Sequence, residues 1–154
     1  MSNAIVHTYK LVFKGVDYLQ SVFALVLRAW LAQVFFMSGL TKIKSWETTL
    51  MLFEYEYVVP VISFELAAYM ATAAELIIPV LLIAGLLTRP AVLALLILNI
   101  VAVTSYPDIS QAGINQHHMW SFMITTLFFY GAGKVSFDYW ASRKCASRCQ
   151  GRDR

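Results

Sequence analysis

Charge is what this 154-residue chain has least of. Asp, Glu, Lys and Arg make up 14% of it and hydrophobic residues 59%, whereas a soluble domain carries about 25% charged residues. That deficit excludes a water-soluble domain and points to an all-α integral membrane protein of one domain spanning residues 1–154. Cysteine is equally scarce. Cys145 and Cys149 are the two in the chain, both in the tail, so no disulfide framework holds the fold. At i and i+4 in a basic tail they can share a helical face, and a reducing cytoplasm keeps them as thiols. No nucleophile–base pair, phosphate loop, nucleic-acid surface or internal repeat is legible, so nucleic acid is not an expected partner.

What is there is a set of long apolar runs. The spacing predicts transmembrane helices over about 18–41, 64–88, 90–106 and 116–133, a four-helix bundle with a short interfacial segment between the first two and a basic tail over 134–154. The run from Tyr18 to Thr41 is too long for a signal peptide and contains Arg28. Trp46, Leu50, Met51 and Phe53 lie on one side of the connector that follows, and Pro60 closes it. The fourth run is short for a span.

Orientation follows from the basic residues. Placing the N-terminus inside puts Lys10, Lys14, Arg89, Lys134, Arg143, Lys144, Arg148, Arg152 and Arg154 on the cytoplasmic side, nine of the twelve Lys and Arg. Lys42 and Lys44 fall outside. Both termini are therefore expected in the cytoplasm, the protein itself in a bacterial inner membrane, and Tyr139, Trp140 and the basic tail on anionic lipid.

Two constellations could carry chemistry. Glu75 is the one charge inside Leu66–Thr88, and an ionisable group at that depth costs at least a few kcal/mol unless partnered. Ala68, Ala71 and Glu75 share a face, as do Ser21, Ala24, Arg28, Ala32 and Gly39, so both charges are expected to point at other helices. Pro79 cannot donate to the Glu75 carbonyl and is expected to kink the helix there. Counting from the cytoplasmic ends puts Arg28 and Glu75 roughly 5 Å apart in depth. They are expected to pair, with Lys42 and Asn99 as supporting polar groups. Such a pair either fixes helix register or receives a quinone head group or a proton. The second constellation is Met37, Met51, Met70, Met119 and Met123 with His117 and His118, all towards the outer side. Thioethers with imidazoles suit Cu(I), while methionine is also a routine filler of apolar cores.

Four segments together resemble the DoxX family of small four-helix bacterial membrane proteins, over about Ser21 to Asp138. They are Arg28; Phe36-Met37-Ser38-Gly39-Leu40-Thr41-Lys42; Glu75 with Gly85-Leu86-Leu87-Thr88-Arg89; and Gly131-Ala132-Gly133-Lys134-Val135-Ser136-Phe137-Asp138. The family usually has Gly-Pro-Gly at the start of the last. The resemblance implies a link to quinone-linked oxidation or to oxidative-stress complexes. Leu52 to Pro60 and the histidine before the last helix resemble a subgroup encoded beside metal-stress peptide-modification systems. The expected function is a non-enzymatic inner-membrane accessory protein acting with redox or metal-stress partners, membrane or periplasmic, or as a homo-oligomer. The alternatives are a membrane subunit of a quinone-linked oxidoreductase and a small-solute or metal-ion permease.

Overall fold

The computed structural model describes the backbone of residues 2–59 and 61–150, with side chains described for 6–7, 13, 15–16, 18–59 and 61–144. Among the described residues six helices follow in order: α1 (Ser2–Lys44), α2 (Trp46–Tyr55), α3 (Phe64–Ala84), α4 (Thr88–Ser105), α5 (Gln111–Tyr130) and α6 (Phe137–Gln150). No strand occurs among the described residues. Pro60, Arg152 and Arg154, and the side chains of Lys10, Lys14, Cys145, Arg148 and Cys149, lie outside the described set.

The caps explain the boundaries. Ser63 accepts from the Leu66 N–H at the start of α3, and Ser110 accepts from the Gly113 N–H at the start of α5, the usual use of a serine hydroxyl on orphan helix donors. Gly85 ends α3 in the left-handed region (φ 64°), with the Leu86 N–H reaching back to the Leu81 carbonyl. α3 runs unbroken through the buried Pro79. The interfacial segment expected after the first span is α2, and the tail that was expected only as a basic anchor starts with α6.

α1, α3, α4 and α5 pack as a ring, α1 against α3 and α5, and α4 against the same two. Leu31, Leu82, Val92, Leu95, Ile124 and Leu127 are fully buried inside it. Phe53 of α2 joins Ala67 and Ala68 in a second cluster at one end. That end, hereafter the α2 end, lies opposite the one carrying α6. The outside of the ring is apolar too: Val26, Trp30, Ile77, Val80, Ile97, Phe122 and Phe129 are each more than half exposed. A surface of that kind is suited to lipid, and the polar exceptions are within, where Arg28 and Asn99 have no exposed surface.

Among the described residues three helices are long and apolar enough to cross a membrane: Tyr18–Lys44 within α1, α3, and α4. α5 completes the ring, but its first turns carry Gln111, Asn115, Gln116, His117 and His118, which dilute its apolar character.

Candidate functional site

The face of α1 that the spacing of small residues picks out is the buried one: Ser21, Ala24, Arg28, Ala32 and Gly39 are all inside. On α3, Ala68 and Glu75 are buried and Ala71 partly so. The two charges nevertheless do not meet. A Cβ placed on Gly39 would touch Leu76 at 3.0 Å and the Glu75 Cβ at 3.1 Å, so Glu75 sits level with Gly39. Arg28 is level with Gly85 instead, its Nη1 lying where a Gly85 side chain would go. Positions 28 and 39 are about 16 Å apart along one helix, beyond any side-chain reach. The pairing expected from depth therefore does not form. The physical reason is that α1 continues far past Tyr18, so the start of its apolar run does not mark the level at which α3 ends.

Glu75 is partnered by Lys42. The ammonium donates to both carboxylate oxygens, at 2.8 and 2.7 Å, and to the Ser38 hydroxyl at 3.0 Å. Those bonds use the donors a lysine has. Ser38, Gly39 and Lys42 come from the last turns of α1. Gly39 lets α3 approach closely enough to bring the carboxylate in. The Thr49 hydroxyl of α2 donates to the Lys42 carbonyl at 3.1 Å, tying the α1–α2 corner to the pair.

The pair borders a cavity of about 570 Å³ at the α2 end. Its walls are Ala71, Ala74 and Ile78 of α3, Ile97, Leu98 and Val101 of α4, and the connector around Tyr57, Val59 and Ile62. The Tyr57 ring stacks between Phe53 (4.7 Å) and Tyr106 (5.3 Å), and the Val58 N–H donates to the Ser105 carbonyl at 2.8 Å, so the connector is pinned over α4. Burial pushes the Tyr57 phenol above its ordinary value, and the Glu75 carboxylate pushes it the same way. The phenol thus remains a donor. The site offers a fixed ion pair and a protonated hydroxyl below apolar walls, suited to a molecule with a polar head and an apolar body.

The other candidate residues lie elsewhere. Asn99 donates to the His117 carbonyl (2.9 Å) and to the Ser121 hydroxyl (2.8 Å), and its Oδ1 is 2.7 Å from His117 Nδ1. Since Oδ1 can only accept, Nδ1 carries the proton. This is a seam between α4 and α5. Met37, Met51, Met70 and Met119 are each more than half exposed, and Met123 packs against the core. Outward-facing residues on separate helices do not converge, and of this set Met70 alone borders the cavity. His118 is exposed. Among the described residues no group of three His, Cys, Asp or Glu could hold a metal ion.

A second polar centre, which the sequence reading missed, lies at the α6 end. Arg28 donates to the Val135 carbonyl at 2.5 Å. Asp138 accepts from the Leu87 N–H (2.9 Å) and the Thr88 N–H (2.8 Å), and its own N–H donates to the Gly85 carbonyl (3.0 Å). Asp138 thereby caps α4 from another helix and holds Leu87 in its left-handed conformation (φ 49°). In the sequence Asp138 looks like any acidic residue in the first turn of a helix, so no local signal pointed to it.

The DoxX family model matches residues 23–107, more than half of the chain, and the chain belongs to that family. Neither a curated protein nor a solved structure matches it.

Proposed function

From this membership and the geometry at the α2 end, we propose that the chain is a single-domain, four-span inner-membrane accessory protein. It is not an enzyme on its own and acts with redox or metal-stress partners, its functional centre being the Lys42–Glu75 pair. The observation that carries the reading is that this ion pair borders a 570 Å³ cavity with apolar walls. In this orientation the α2 end faces outward and the basic α6 end faces the cytoplasm, a reading that the distribution of Lys and Arg supports. α5 is the fourth span.

The cavity's chemistry also favours one alternative, a membrane subunit of a quinone-linked oxidoreductase. A quinone fits the residues present: Lys42 and Tyr57 can donate to a ring carbonyl, Glu75 can take a proton from a quinol hydroxyl, and the α3 and α4 walls suit an apolar tail. When bound, a quinone supplies two-electron, two-proton chemistry. The protein's own contribution is orientation, a proton acceptor at the Glu75 carboxylate and exclusion of water. The permease reading is disfavoured by Leu31, Leu82, Val92 and Leu95, which are fully buried and fill the ring.

The test is solvent extraction of protein purified from its own membranes, followed by quantitation of quinone. Near-stoichiometric quinone in the parent and its loss in Lys42→Met with Glu75→Gln supports the cavity as a quinone site. Equal traces in both assign the cavity to contacts with protein partners, which cross-linking from Val61 then identifies.

A further inference from the structure

Three buried side-chain atoms among the described residues have no hydrogen-bond partner: Nε and Nη1 of Arg28 and Oγ1 of Thr88. Both residues belong to the α6 end, remote from the Lys42–Glu75 cavity. Arg28 has no exposed surface and Thr88 only 1%. A buried guanidinium with a single carbonyl acceptor is under-compensated, because desolvation removes more than one neutral hydrogen bond returns. Asp138 attracts it electrostatically. Both Asp138 oxygens, however, already accept from the backbone at the start of α4.

Thr88 also lines an open cavity of about 790 Å³, together with Ser21, Arg89, Gly133, Lys134 and Ser136. Arg28 stands behind this wall, since the space beside Gly85 is bounded by Arg28 Nη1 on one side and the Ser136 Cβ on the other. Gly133 lies against the Ser21 backbone, where a Cβ would come within 3.2 Å. Arg89 and Lys134 at the wall and Arg28 behind it thus outnumber Asp138, the one carboxylate among the lining residues. Water in the cavity would satisfy hydrogen bonds but would leave that charge excess in place.

We infer that this cavity binds a phosphate group, from a phospholipid headgroup or from free phosphate. A phosphate offers several acceptors around a full negative charge, matched at the wall by the Thr88 hydroxyl and, through the wall, by the uncompensated charge of Arg28. Lys134 and Arg89 neutralise it at the mouth. The inference does not depend on what the α2-end cavity holds.

The test uses parent protein in nanodiscs of phosphatidylcholine, with phosphatidylglycerol added or with millimolar inorganic phosphate, read by melting temperature and by lipid retention in native mass spectrometry. Phosphatidylglycerol should raise the melting temperature and be retained over phosphatidylcholine. An equal rise with inorganic phosphate assigns the site to the free anion, and no rise with it assigns the site to lipid. Arg28→Gln removes a buried charge and can unfold the bundle, so Thr88→Val and Lys134→Gln carry the decisive comparison. Each should weaken binding by roughly threefold to tenfold, the value of one hydrogen bond or one exposed charge, with unchanged melting in pure phosphatidylcholine. Parent-like retention in both variants, or identical melting in all three media, overturns the proposal and leaves Arg28 a structural, water-solvated group.

Discussion

Two arginine-or-lysine partners were open to Glu75, and a pair of double-mutant cycles separates them. The Lys42 and Glu75 side chains are 17% and 10% exposed, which makes this a nearly buried pair. Removing one partner from such a pair leaves an uncompensated charge at about 3–5 kcal/mol. Lys42→Met should come close to that figure, because the short Glu75 side chain cannot leave α3. Glu75→Gln should cost less, about 1–3 kcal/mol, since the lysine stem can swing its ammonium towards the α2 end and water. The double variant should recover much of the loss, giving a coupling of about 2 kcal/mol or more. Arg28→Met combined with Glu75→Gln should instead be additive within about 0.5 kcal/mol, as expected for side chains more than ~10 Å apart. The assay is equilibrium unfolding in mixed micelles, followed by fluorescence of the four tryptophans. Zero coupling for Lys42 with Glu75, or clear coupling for Arg28 with Glu75, would refute the register derived from Gly39 and Gly85.

Further outcomes follow from the same geometry. Asp138→Ala should cost about 1–2 kcal/mol through loss of the cap on α4, and hydrogen exchange at the Leu87 and Thr88 amides should rise selectively. Gly85→Ala should be strongly destabilising, because the residue is left-handed and its Cβ would displace Arg28, whereas Gly15→Ala, with open space around it, should stabilise α1 by up to about 1 kcal/mol; thermal unfolding ranks the two. Tyr57 has a raised folded-state value, so its contribution is fully present below the ordinary tyrosine range, about pH 10, and is lost as pH rises through the raised value. Stability measured at increasing alkaline pH should fall more steeply in the parent than in Tyr57→Phe. Single cysteines at Asn115 and Arg143, in a background lacking Cys145 and Cys149, should label from opposite sides of intact cells, and labelling of both from outside contradicts the orientation proposed here.

Much of the fold was legible because burial in a helical ring leaves a periodic trace. Ser21, Ala24, Arg28, Ala32 and Gly39 announce one buried face through residue size alone. The runs expected over 64–88 and 90–106 fall on α3 and α4, while the ends set by Ser110 and Gly85 emerge only in the structure. What one helix at a time does not reveal is its level against its neighbours. Arg28 and Glu75 were matched by counting inward from where apolar runs begin, yet α1 has no boundary at Tyr18, and the error this introduces is about ten residues of α1. The close contact at Gly39 is what sets the register, and a small residue on a buried face does not say which residue of α3 packs against it. Asp138 was illegible for a related reason. Its partners, the Leu87 and Thr88 amides, are some fifty positions away, and nothing local distinguishes a cross-helix cap from an ordinary acidic first turn.

Correcting the register changes what the resemblance segments mean. Phe36 to Lys42 and Glu75 converge at the α2 end, while Arg28, Gly85 to Arg89 and Gly131 to Asp138 converge at the other. The four segments thus build two polar centres about 16 Å apart along α1, one a closed ion pair and the other a guanidinium with donors to spare. A single central pair would have tied structure and chemistry to one point. Two centres separated by the apolar layer of Leu31, Leu82, Val92 and Leu95 can be altered independently. Losing the Lys42–Glu75 pair should therefore leave phosphatidylglycerol retention at the α6 end unchanged, and losing Thr88 should leave quinone content unchanged. A variant at one end that abolishes both signals, while melting as the parent does, would show that the two centres are coupled through the ring.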